Sequence, residues 1–147
     1  MELVEEVNAF LSEWSEVARL ETPQGLTALA CGKKALVLPV PVRSRSAEEA
    51  FRVNALVRLS LDFLMTSCPE TKVVILPEDM WRVRPEMMRP RLLAQIGRFR
   101  SIFARNTSAR RITGPEASGF LKKWHTYSDA ASRYRYGLFL GGTLLVA

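Results

Sequence analysis

The chain has 147 residues, 48% apolar and 24% charged, with a net charge of +6; that composition excludes a disordered polyelectrolyte and a fold that needs disulfides for want of a core. No apolar run reaches bilayer-spanning length, and the acidic start MELVEE is neither a secretion signal nor a transit peptide, so no membrane partner is expected. Cys31 and Cys68 lie far apart and form no CxxC, which points to two buried thiols in a reducing, intracellular compartment.

Residues 2–20 are predicted to form an amphipathic helix. Leu3, Val4, Val7, Phe10, Leu11, Trp14, Val17 and Ala18 recur at three-four spacing, and Glu residues take the other faces. Thr22-Pro23 ends it and Gln24-Gly25 turns. Residues 26–30 and 35–40 are short apolar runs around Cys31-Gly32-Lys33-Lys34, a hairpin with Gly in its turn. The second run, ALVLPV, is apolar throughout and reads as an interior strand. Pro39 and Pro41 cannot donate to a ladder, so pairing frays there or the strand lies at an edge.

PVRSRS is a loop. Ser46 and Glu49 form an S-x-x-E capping box for a helix over about 47–66, with Phe51, Ala55, Leu59 and Phe63 as one stripe and Val53, Leu56, Val57, Leu61 and Leu64 widening it. Residues 72–76 are a buried strand. A strand, a helix and a strand with this crossover imply a parallel pair. Pro85 opens a further helix to about Phe99, with Met88, Leu92, Ile96 and Phe99 inward. Residues 101–105 read as a strand, and Asn106-Thr107-Ser108 as a turn or bulge.

Thr113 and Glu116 form a second capping box, for a helix with Ala117, Phe120, Leu121 and Trp124 inward. After residues 126–132, RYRYGLFL alternates as a strand, and Gly141-Gly142 turns it into a return strand that looks central. The fold class is therefore α/β, a small mixed sheet with flanking helices followed by the beginning of an α+β unit. The organisation reads as a helix over 1–22, an α/β domain over 23–100 and a partial α+β unit over 101–147. Self-association, or a partner chain completing the C-terminal sheet, is a further expectation.

Charge is unevenly placed. Residues 1–30 hold six Glu and one Arg, residues 31–81 are near balance, and the excess lies after residue 81. From Arg82 to Arg111 there are nine Arg, no Lys and one acid, Glu86. Such asymmetry suits nucleic acid or another polyanion. It also fits a solvated basic face, or one paired with the acidic first helix of the same or another chain. Arg forks grip phosphate bidentately and Tyr rings stack on bases. Arg82, Arg84, Arg105, Arg110, Arg111, His125, Arg133 and Arg135 are thus the candidate nucleic-acid-binding residues, with DNA placed ahead of RNA. Tyr134 and Tyr136 share a face by alternation, which suits either base stacking or a place in the core.

Catalytic signals are sparse. Glu78 and Asp79 follow the C-terminal end of a parallel strand, where open α/β sheets place ligands. They are the candidates for a Mg2+-dependent nuclease, or a loop and capping pair. His125 is the only His, near a helix C-terminus, where the dipole alone can account for it. One His and two remote Cys do not make a zinc site, and no phosphate-cradling glycine loop exists. No cofactor is expected, and Mg2+ enters only with the nuclease alternative. A protein-interaction fragment, docking the acidic helix on a basic partner, is the other alternative.

The order ILPEDMW, RPRLLAQIGR, IFARNTSARRI, EASGFLKKWH and YRYGLFLGGTLLVA resembles phage and mobile-element proteins that join a very-short-patch-repair-like (Vsr-like) endonuclease fold to an acetyltransferase-like (GNAT-like) tail. The resemblance covers about half the chain. It implies a nuclease-like scaffold whose apolar strand before the long helix should carry a metal-binding acid. Leu38 and Pro39 stand there instead, so the implied metal site is lost and the module is expected to bind without cutting. The tail resembles only the first part of the acetyltransferase-like domain, without its acetyl-CoA pyrophosphate loop, which leaves a truncated acyltransferase-like fragment as a further alternative.

Overall fold

The computed structural model describes residues 2–42, 46–126, 129 and 131–147. Half of the loop expected at PVRSRS lies outside them, at Arg43, Ser44 and Arg45. Tyr127, Ser128 and Ala130 of the segment over 126–132 also lie outside. The chain divides into two compact units, Met1–Phe99 and Arg100–Ala147.

The first unit runs α1 (Leu3–Ser12), β1 (Val17–Glu21), β2 (Thr27–Cys31), β3 (Ala35–Val40), α2 (Ala47–Ser67), β4 (Lys72–Pro77), α3 (Glu78–Val83) and α4 (Pro85–Gln95). Its sheet is mixed, in the order β1-β2-β3-β4. The first three strands are antiparallel, and β4 lies parallel to β3 across the α2 crossover. β3 is interior and buried at every residue. Period-two alternation explains why it is apolar throughout. Ala35 and Val37 face a core shared with Leu3, Val7 and Leu11 of α1, Trp81 of α3 and Leu92 of α4. Leu36, Leu38 and Val40 face the other core, under Leu64 of α2. Each fully buried Leu contributes roughly 2 kcal/mol by leaving water. The β2–β3 register stops at Leu29–Val37, short of Pro39, as a residue without an N–H requires.

The helix expected over 2–20 is corrected. It ends at Ser12, and Val17–Glu21 is a strand paired with β2. Val17 and Ala18 fit helical spacing and strand alternation alike, and hairpin pairing decides between them. The turn is tied down by Thr22, whose hydroxyl accepts from Leu26 N at 3.0 Å and bonds the buried Ser60 hydroxyl of α2 at 3.1 Å. On α2, Ser46 caps as expected, accepting from Glu49 N at 3.2 Å. The packed stripe is only part of the expected face. Val53, Val57, Leu61, Phe63 and Leu64 cover the sheet, whereas Phe51, Ala55 and Leu59 are exposed. A helix with more apolar residues than one face can bury leaves that choice to the sheet beneath.

The corner after β4 is helical. α3 runs from Glu78 and meets α4 at Arg84. α4 stops at Gln95, with Gly97 at φ +78° beyond it, so Phe99 is exposed rather than inward. Cys31 is buried, and desolvation pushes its thiol pKa up; Cys68 is half-buried, and both are free. No described helix is long and apolar enough to cross a membrane.

The second unit holds a 3-10 turn (Ala104–Asn106), β5 (Ser108–Arg111), α5 (Gly114–Trp124), β6 (Tyr136–Leu140) and β7 (Thr143–Val146). The strand expected at 101–105 begins instead at Ser108. Thr107 donates its hydroxyl to Ala104 O at 2.7 Å and holds the preceding turn. The three strands are antiparallel in the order β5-β6-β7. β7 is therefore an edge, not the central strand its apolar run suggests. Gly141 and Gly142, at φ +53° and +87°, make the β6–β7 turn, where both central residues need the left-handed region. α5 packs on one face of this sheet, around Ile112, Ala117 and Phe139.

Candidate nucleic-acid interface

The expected set divides between the units. In the first, Arg82 donates Nε to Glu78 Oε1 at 2.8 Å and Nη1 to Glu6 Oε1 at 3.0 Å. Its charge is thus committed to two carboxylates, one from the acidic first helix. Arg84 is half-buried at the junction of α3 and α4. Glu78 is itself buried, and its second oxygen accepts from Val42 N at 3.2 Å. Asp79 is turned back on Met80 N at 2.8 Å. Among the described residues no group of three His, Cys, Asp or Glu could hold a metal ion.

In the second unit, alternation separates neighbours that sequence alone groups together. Arg110 pairs with Gly137 on the face that α5 covers. There its guanidinium lies 3.9 Å from the centre of the Phe139 ring and 3.6 Å from Glu116. Arg111 pairs with Tyr136 on the other face. Arg105 sits in the 3-10 turn, exposed. His125 caps the far end of α5, an 11-residue helix, so roughly 16 Å of helix separates it from the α5 N-terminus. The six residues of the second unit therefore do not form one continuous strip.

Three of them do converge. Arg111, Arg133 and Arg135 line a polar cavity of about 430 Å³ with Ile112, Thr113, Gly114 and Ser132, at the first turn of α5. Arg135 is fixed there: its Nε donates to Ser132 Oγ at 3.2 Å, and Asp129 lies 3.7 Å from its Nη2. Gly114 makes room for it, since a Cβ at that position would lie 2.7 Å from Arg135 Nη1. The Ile112 N–Arg135 O bond of 3.0 Å carries the β5–β6 pairing one step further and brings the two segments together. Among the described residues neither Arg111 nor Arg133 makes an ion pair. Both guanidiniums lie instead near the Tyr134 ring, 5.3 Å and 5.7 Å from its centre. With Asp129 beside Arg135 and Glu116 capping the first turn of α5, the charge left over in the cavity is that of Arg111 and Arg133, and an anion there would relieve their repulsion.

The helix end was the part missed from sequence. Its signal is the Thr113–Glu116 box directly after ARRI. Glu116 accepts from Thr113 N at 2.8 Å, and Thr113 Oγ1 accepts from Glu116 N at 3.3 Å. The bond from Thr113 N–H lowers the Glu116 pKa most, followed by the Thr113 hydroxyl, with Arg110 adding to it. The folded pKa then lies below the unfolded one. The contribution is complete above the usual carboxylate range, about 4.3, and is lost as pH falls through the folded value. Thermal melts of the second unit should fall in midpoint on acidification below about pH 4, and Glu116→Gln should flatten that dependence.

Comparison with protein-family models, with curated proteins and with solved structures finds no match for this chain.

Proposed function

We propose that this chain binds nucleic acid through its phosphate backbone, using the arginine-lined cavity of the second unit, and does not cut it. The observation that carries the reading is the meeting of Arg111, Arg133 and Arg135 around one polar cavity at the start of α5. Guanidinium forks match phosphate oxygens two bonds at a time. The nuclease alternative, with Mg2+ on Glu78 and Asp79, is disfavoured because both oxygens of Glu78 already accept hydrogen bonds within the fold. The finer likeness to a nuclease-like scaffold with an acetyltransferase-like tail belongs to the same proposal. It is in keeping with it that β2 and β3, which read TALAC and ALVLPV, carry no acid.

Filter binding on DNA and RNA at rising salt tests the reading. Affinity should fall linearly in log–log form, by about 0.9 per neutralised phosphate on duplex DNA. Arg111→Gln and Arg133→Gln should each weaken binding about tenfold and reduce the salt slope by about one. Supercoiled DNA incubated with Mg2+ or Mn2+ should stay uncut. Unchanged affinity in both variants, or cleavage that Glu78→Ala abolishes, would overturn it.

A further inference from the structure

We infer that the nucleic acid is single-stranded, with one backbone phosphate in the cavity at the start of α5 and adjacent bases laid on Tyr134 and Tyr136; this rests on the reading just given. The uncovered face of the β5-β6-β7 sheet carries Tyr136 and Leu138 of β6 and Val146 of β7, all exposed. Tyr134, 58% exposed, stands just ahead of them. A duplex shows phosphate outward and keeps its bases stacked within, so it has no use for such a surface. A single strand presents base faces that stack on aromatic rings regardless of sequence.

Spacing favours the same ligand. Tyr134 and Tyr136 are two residues apart where the Ile112 N–Arg135 O bond still continues the β5–β6 pairing. At strand geometry that is about 6.8 Å. Bases stacked in a duplex rise only about 3.4 Å per step. Rings spaced as their backbones are suit a strand drawn out along the sheet rather than neighbouring bases left in duplex register. Charge is placed to hold that strand. Arg111 pairs with Tyr136, and its guanidinium lies by the Tyr134 ring, as does that of Arg133. Two of the cations that line the cavity, Arg111 and Arg133, thus adjoin the aromatic surface, as alternating phosphate and base require.

Fluorescence anisotropy with labelled oligo-dT and oligo-rU, and with a duplex of matched length, is the test. The single strands should bind at least about tenfold tighter than the duplex, since stacking contributes on that scale per base. Tyr136→Ala should reduce that preference while leaving duplex affinity unchanged, and Tyr134→Ala with Tyr136→Ala should remove it. Tyr134→Phe with Tyr136→Phe should keep it, because the ring and not the hydroxyl stacks. Both tyrosines are exposed, so these variants keep the core. Equal affinity for duplex and single strand, or a preference that survives loss of both rings, overturns the inference and leaves backbone binding standing. Binding of neither ligand overturns both.

Discussion

Gly137→Val is expected to unfold the second unit while the first keeps its own transition. A Cβ at Gly137 would sit 2.5 Å from Leu144 Cδ1, 3.0 Å from Phe139 Cε2 and 3.1 Å from Ile112 Cγ2. Those three side chains, with Ala117, are the centre of this unit's core. Phe139 and Ile112 are buried there, and Leu144 is half-buried. Overpacking of this kind costs about 3 kcal/mol at the upper end of its range. A unit of this size, with so few buried side chains, has little more stability than that to lose. Hydrogen exchange on the whole chain checks it. Amides of β5, β6 and β7 should lose protection, and those of β2 and β3 should keep it. Protection retained at β6 would mean that Leu144 finds another rotamer and the close approach is not a constraint. Because Arg111 and Arg135 are brought together by the β5–β6 pairing, the variant should also lose nucleic-acid binding.

Why some of this could be read from sequence and some could not follows from where each feature is decided. The β2–β3 turn, the Ser46 and Thr113 caps, and the Gly141-Gly142 turn are decided within a few residues, by glycine freedom and side-chain oxygens. The parallel β3–β4 pair follows from the length of one crossover. Other features depend on what lies across the chain. Val17–Glu21 is a strand because β2 is beside it. The Phe51 stripe of α2 is outward because Val53, Val57 and Leu64 meet the sheet first. The site is mixed in the same way. That Arg110 and Arg111 take opposite faces follows from strand alternation alone. That Arg135 lies against Gly114 depends on a register between β5 and the segment before β6, which no local pattern announces.

Trp81→Ala is expected to destabilise the first unit by about 4 kcal/mol, the usual scale for a buried tryptophan, and to leave nucleic-acid affinity of the second unit unchanged. Trp81 is 4% exposed and belongs to the core that joins α1, the sheet and α4. Phe10 of α1 meets it edge-on at 5.5 Å, and the Arg89 guanidinium of α4 lies 5.5 Å from its ring and 5.6 Å from that of Phe10. One turn earlier, Glu78 ties α3 to Val42 N and to Arg82, which reaches Glu6 of α1. The acidic-aromatic corner is therefore a clamp between α1, α3 and the end of β4. In sequence the same residues look like a ligand site, because both uses need a carboxylate and a large ring past a strand end. Urea denaturation separates the two. A clamp loses about 2 kcal/mol in Glu78→Ala, the worth of hydrogen bonds to a buried charged group, and more in Trp81→Ala, with the midpoint falling in that order. A catalytic carboxylate held under strain would instead leave stability unchanged or raised on removal, and that result would return Glu78 to the list of groups that face a substrate.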